Sequence, residues 1–204
     1  MTDPRVERLA ELIVGYSLRL RPGQVFRIDG SEQASPLILA LHRAALRAGA
    51  HAYARVTLAG LAEQLVERGS EEQLTYVSPV EWAEAELLDA WATIWADANT
   101  RSFTRAAPER HQRYIATRRK VSNKIWERIS RDEVTWCGTL YPTDAHAQDA
   151  EMSLAEYENF VFAACHCLDA NPAAHWESAS TALRERAAEL ENVRELRIVA
   201  EDTD

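Results

Sequence analysis

Four short clusters in this sequence hold residue types that do chemistry. Asp144, His146 and Asp149 follow Pro142, and His146 and Asp149 sit three apart on one predicted helix turn. Carboxylates and imidazoles ligate hard and borderline metals, but one local pair supplies two ligands where a catalytic metal needs three or more. An exposed helix start, whose acids favour the positive end of the helix, accounts for the same residues. Cys165-His166-Cys167 carries soft-metal donors. On a helix, residues two apart point about 200° from each other, so these thiols do not share an ion there. Neither has a Cys-x-x-Cys partner, and both read as small buried hydrophobes. Cys137-Gly138 lies on a predicted strand, and the chain has six histidines. A Cys–His pair is therefore open, although no local signature supports it. There is no Gly-x-Ser-x-Gly elbow. Asp29-Gly30-Ser31 follows a strand, yet neither G-x-G-x-x-G nor G-x-x-x-x-G-K-S/T occurs anywhere in the chain. That tripeptide reads as a βα turn whose polar groups cap the next helix. The residues alone assign no catalytic, cofactor-binding or metal site.

These clusters hang on a regular alternation of elements. Asp3 caps a helix with Pro4 in its first turn, and Val6, Leu9, Ala10, Ile13, Tyr16 and Leu20 recur at helical spacing. Pro22-Gly23 turns the chain into a strand, Gln24 to Asp29. Ser35-Pro36 opens a second helix that Gly49 closes, and His51 to Thr57 is the next strand. Leu58 to Arg68 is helical, Ser70 and Pro79 head two further helices, and Trp91 to Asp97 is a strand. Pro108 to Ile129 is a long helix and Val134 to Leu140 a fourth strand. Ser153 to Leu168 starts with a Ser-x-x-Glu capping box, and Asn171-Pro172 opens the last helix. Val193 to Ala200 has the apolar, β-branched character of a fifth strand. Strands separated by helical crossovers predict an α/β domain, a mostly parallel sheet with helices on both faces. Ligands of such sheets gather at the carboxyl ends of the strands. Here those ends are Asp29-Gly30-Ser31, Thr57, Asp97 to Thr100 and Tyr141 to Thr143.

Composition sets the outer bounds. The 204 residues are 47% hydrophobic and 27% charged, with seven Gly and seven Pro, so one globular domain is expected and no flexible linker. The start MTDPRVERLAEL lacks a signal-peptide layout, and no apolar run approaches about 20 residues. Three cysteines make no even disulfide framework. A soluble, cytoplasmic protein is expected. The net charge of −9 argues against nucleic acid or an anionic membrane as main partner. Charge is uneven, however. Arg101 to Arg131 holds ten basic residues and two acids, a local +8, so the rest of the chain carries −17. That helix is either a solvated face balanced by acids across the fold or a docking face for an acidic partner. The six tryptophans scatter through helices and strands, as core and interface packing would place them.

Two stretches in order resemble a known family. The opening RVERLAELIVGYSLRLRPGQVFRIDGSEQASPLILALHRAALRAGAHAYARV is similar to the amino terminus of the thermophilic-type metallo-aminopeptidases, the aminopeptidase T, aminopeptidase S and peptidase S family. TLYPTDAHAQDAEMSLAEYENFVFAAC resembles that family's Tyr-Pro-Thr, Ala-Gln-Asp-Ala and Met-Ser-Leu-x-Glu-Tyr-Glu tract. The resemblance implies a two-domain enzyme about twice this length that works with two divalent ions of zinc or cobalt type. Its ligands, two glutamates, two histidines and an aspartate, lie in the family's carboxy-terminal domain. None maps onto this sequence, so the chain alone is expected to bind no metal and to be inactive. NVRELRIVAEDTD then reads as the seam, with the second domain continuing from Thr203-Asp204. Peptide substrates would be held by that second domain, and the whole enzyme would be a homodimer. The amino-terminal domain would wall the cleft and limit substrate length. Two other classes stay open: a self-sufficient module binding a small anionic ligand at the strand ends, and an interaction domain that docks through the basic helix.

Overall fold

The computed structural model describes residues 3–201. Helix α1, Pro4–Glu11, starts as expected: Asp3 accepts from Arg5 N, and Pro4 fills the first turn. The predicted helix does not continue to Leu20. Residues Leu12–Ser17 widen into a π-helix that keeps Leu12, Ile13 and Val14 buried. Strand β1, Val25–Ser31, leads through a short 3₁₀ turn, Glu32–Ala34, into α2, Ser35–Arg47. Then follow β2, His51–Thr57, and three helices, α3 (Leu61–Arg68), α4 (Glu71–Thr75) and α5 (Pro79–Leu87). Strand β3, Ala90–Trp95, precedes the long α6, Pro108–Ile129, and β4, Thr135–Leu140. The chain closes with α7 (Asp144–Asp149), α8 (Leu154–Ala164) and α9 (Pro172–Leu190).

The fold is α/β. All four strands are parallel, in the order β2-β1-β3-β4. From β1 the chain moves outward to β2, then returns past β1 to β3 and β4. The carboxyl ends of β1 and β3 therefore flank the switch point, where open parallel sheets form a crevice.

The two faces of the sheet differ, because alternate side chains point to opposite sides. Phe26, Ile28, Ala90, Ala92 and Ile94 face α1, the π-helix and α2, and form the main core with Leu9, Ile13, Leu41 and Phe162. Gly30 belongs to this face. A Cβ there would stand 3.3 Å from both Ile38 Cδ1 and Ile94 Cβ, so the glycine lets α2 settle close to the sheet. The other face is polar and aromatic: Arg27, Asp29, Trp91, Thr93 and Trp136 alternate with the core residues. A smaller cluster, Ala85, Leu88, Val121, Ile125 and Val134, joins α5 and α6 beside it.

One expected strand is absent from this sheet. Val193 to Ala200 is an exposed, irregular segment in which Ala200 alone makes a bridge. A β-branched run becomes a strand when a sheet edge and a packing face receive it, and its apolar side chains here stay in solvent. The expected seam at Thr203-Asp204 lies outside the described residues.

Candidate functional site

The crevice at the switch point is built from the ends of β1 and β3 and the start of α7. Ser31 Oγ, the cap of the 3₁₀ turn, donates to Ala96 O and ties the two strand ends together. Thr143, the N-cap of α7, donates from Oγ1 to Asp97 O at 2.8 Å and accepts from His146 N. His146 Nε2 lies 3.2 Å from Asp97 Oδ2. The imidazole is 12% exposed, its Nδ1 has no partner, and its ring packs near Tyr157. Beyond it, a cavity of about 530 Å³ is lined by Asn99, Arg101, Asp144, Gln148 and Asp149. Arg101 and Asp149 pair across it at 3.5 Å. A smaller cavity of about 170 Å³ lies between Ser31, Glu32, Thr57 and Asp97.

The first sequence cluster is thus separated by the fold. His146 turns to Asp97, and Asp149 turns to Arg101. Among the described residues no three His, Cys, Asp or Glu side chains come together as a set that could hold a metal ion. The described residues bring together no set that fits the metal centre of a metallopeptidase.

Asp29-Gly30-Ser31 is not a turn. The strand runs through Ser31, and the turn follows at Glu32–Ala34. Asp29 points away from the crevice, to the polar face. There Trp91 Nε1 donates to Oδ2 at 3.0 Å, and Arg27 pairs with the carboxylate at 3.1 Å. Burial pushes the Asp29 carboxyl above its usual range, and the nearby Arg27 charge pulls the other way. Arg27 is itself 3% exposed, stacks on Trp91 and leaves Nε and Nη1 without hydrogen bonds. This buried charged group left no trace in local sequence pattern, since an alternating strand normally puts its polar residues in water.

The cysteines also sit differently. Helix α8 ends at Ala164, so Cys165-His166-Cys167 lies in the turn after it, with His166 in the left-handed region at φ 58. The helical argument about their directions does not apply, and the expectation of buried small residues holds for Cys167, while Cys165 is half-buried against the core. Cys167 is fully buried, and desolvation pushes its thiol up to about 12. Burial also raises the thiols of Cys165 and Cys137. Neutral thiols are poor nucleophiles. Cys137 lies beside Ser17 and the Gly138 carbonyl, and among the described residues no histidine bonds it. His166 instead stacks on His175, centroids 3.4 Å apart, and bonds Asp169.

Most of the basic helix is spent inside the domain. Arg110 donates to Val66 O and Gly69 O and pairs with Glu71, as Arg113 does. Arg118 reaches Glu81 and Tyr76 O, and Arg128 reaches Ala85 O, Leu88 O and Glu133. These arginines staple α6 to the segment holding α3, α4 and α5. The balanced-face reading describes them.

The family model for thermophilic metalloprotease (M29) matches residues 2–204. Among solved structures, wild-type AmpT from Thermus thermophilus superposes with a TM-score of 0.76 at 22% sequence identity, covering 91% of this chain and 48% of that one. At that identity the likeness shows the fold, and the chain spans about half the length of AmpT. No curated protein matches. Among the described residues no helix is long and apolar enough to cross a membrane.

Proposed function

The chain belongs to the thermophilic metalloprotease (M29) family, and from that premise we propose that it is the amino-terminal, non-catalytic α/β domain of a metal-dependent aminopeptidase that shortens peptides from their amino ends. The observation that carries this reading is one of extent. The family match runs through residues 2–204, while the shared fold accounts for 48% of the AmpT chain. The divalent metal that a metallopeptidase implies then belongs to a second domain. There it would polarise the peptide carbonyl and supply hydroxide near neutral pH. The part of this chain is to wall the cleft, to limit the length of peptide admitted and to support assembly.

A second reading, a self-sufficient small-ligand module, draws on the cavity of about 530 Å³ at the strand ends. Its lining sets Asp144 and Asp149 against Arg101. That balance suits a cation or a zwitterion better than the anion that strand-end crevices often take.

Metal retention tests the first reading. The purified 204-residue chain, equilibrated with excess zinc or cobalt and desalted, should keep no stoichiometric ion by elemental analysis. Two ions held per chain through washing would overturn the non-catalytic assignment.

A further inference from the structure

Many arginines of this domain are spent on acids. Arg5, Arg27, Arg43, Arg55, Arg118 and Arg128 each pair with a carboxylate. Arg8 and Arg19 pair with none among the described residues, and both line one cavity of about 470 Å³. Its walls are a face of α1 and the π-helix, running on to Arg19, and the start of α9. Glu11 and Glu177 line it as well.

Charges of both signs thus share one space without closing on each other. Arg8 uses only Nε, which donates to Cys167 O at 2.5 Å. That bond anchors the guanidinium and leaves Nη1 and Nη2 unpartnered among the described residues, a fork open to a carboxylate. Arg19 lies over the Tyr16 ring, 5.9 Å from its centroid. Glu11 is already held by Arg47 at 3.2 Å. Glu177 accepts from Thr181 through its backbone carbonyl, and its carboxylate has no partner among the described residues. Gly15 lines the same space, and a Cβ there would meet nothing within 4 Å. Packing does not ask for that glycine, which weakens a helix relative to alanine, and its missing side chain keeps the space open. Tyr16 beside it is pinned, its hydroxyl donating to Trp176 O at 2.8 Å.

We propose that this cavity binds a zwitterion, a molecule of the α-amino acid or short-peptide class that carries one carboxylate and one ammonium group. The carboxylate takes the Arg8 fork, whose two parallel N–H donors match a planar anion. The ammonium takes the Glu177 carboxylate on the α9 wall. Each end of the ligand then satisfies a charge that the fold leaves unpaired. A ligand of one sign would meet a like charge on the opposite wall, which works against it. The volume lies within the range of small-molecule sites. Such zwitterions are also what the peptidase proposed above would consume and release, and that reading alone gives the site its role. The binding itself needs neither metal nor a second domain, so the two readings fail separately.

Isothermal titration calorimetry on the 204-residue chain is the test. Leucine and the dipeptide leucyl-leucine are the probes, and N-acetyl-leucine and leucinamide, each lacking one charge, are the controls. At least one zwitterion should bind with a Kd of about 1 mM or tighter. The tighter of the two identifies the free amino acid or the peptide as the ligand. Each control should bind at least about tenfold more weakly than leucine, because one charged hydrogen bond is missing. Glu177→Gln removes a carboxylate the fold does not use and should weaken the zwitterions about tenfold. Gly15→Leu places a side chain in the open space without a clash and should abolish binding. No binding of either zwitterion at millimolar concentration overturns the proposal. So does equal binding of the controls, or binding that survives both substitutions.

Discussion

Nε2 of His146 stands 3.2 Å from Oδ2 of Asp97, joining the start of α7 to the end of β3 across 49 residues of sequence. Two different supports hold the contact: Thr143 fixes the backbone at Asp97, and Tyr157 lies against the imidazole. The carboxylate is 60% exposed, so solvent screens the contact. Asp97→Ala should therefore cost less than about 1 kcal/mol. His146→Ala removes a ring that is nearly buried and should cost about 1–3 kcal/mol. Urea unfolding of both variants measures the ordering. Equal losses would mean that the pair, and not the packing, holds the crevice.

Arg27 and Asp29 make the opposite case, because there the guanidinium is buried and the carboxylate largely so. Truncating Arg27 takes the nearest cation from Asp29 and leaves only the weaker influence of Arg55 and the Trp91 hydrogen bond, so Arg27→Met should cost up to about 3–5 kcal/mol at pH 7. Burial already raises the Asp29 carboxyl, and losing Arg27 raises it further. A raised folded pKa means stability that is complete below the unfolded value and lost as pH rises through the folded one. The R27M defect should thus shrink on acidification, and R27M/D29N should recover most of it at pH 7. Denaturation midpoints against pH check both. A defect independent of pH would remove the charge from the explanation.

Gly138 is a packing glycine. A Cβ at that position would stand 2.5 Å from Trp95 Cη2 and 2.9 Å from Trp136 Cζ2. Two stiff aromatic rings must move to admit a methyl group. Gly138→Ala should destabilise by about 1–3 kcal/mol and shift the tryptophan emission. An unchanged spectrum and midpoint would place the rings elsewhere.

Much of this was written locally. The parallel α/β fold, the Asp3, Ser70 and Ser153 caps and the strand cores follow from period and capping residues, which act over a few positions. The failures were long-range or contextual. Val193 to Ala200 has strand composition, but among the described residues it joins no strand of the four-stranded sheet, and Ala200 alone makes a bridge. The widened turn at Leu12–Ser17 keeps the apolar spacing of an α-helix and so hides in it. At the crevice, sequence marked His146 through its neighbours Asp144 and Asp149. Its actual partner, Asp97, comes from another strand end, and only the topology brings it there.

The Cys167 thiol, pushed up to about 12, gives a chemical readout. An unperturbed thiol titrates near about 8.5. The folded chain gains stability from keeping this proton, fully below the unfolded value and progressively less as pH rises toward about 12. Near pH 8 a disulfide reagent should leave Cys167 unreacted in the native chain and modify it promptly in denaturant. Rapid native labelling at Cys167 would contradict its burial.

Turnover tests the central claim most directly. The 204-residue chain and the same chain extended through its downstream reading frame should be assayed side by side on aminoacyl chromogenic substrates with zinc or cobalt present. The account predicts no hydrolysis by the chain alone and metal-dependent release of amino-terminal residues by the extended protein. Metal-dependent turnover by the purified 204-residue chain, surviving His146→Ala and Cys137→Ala, would contradict it.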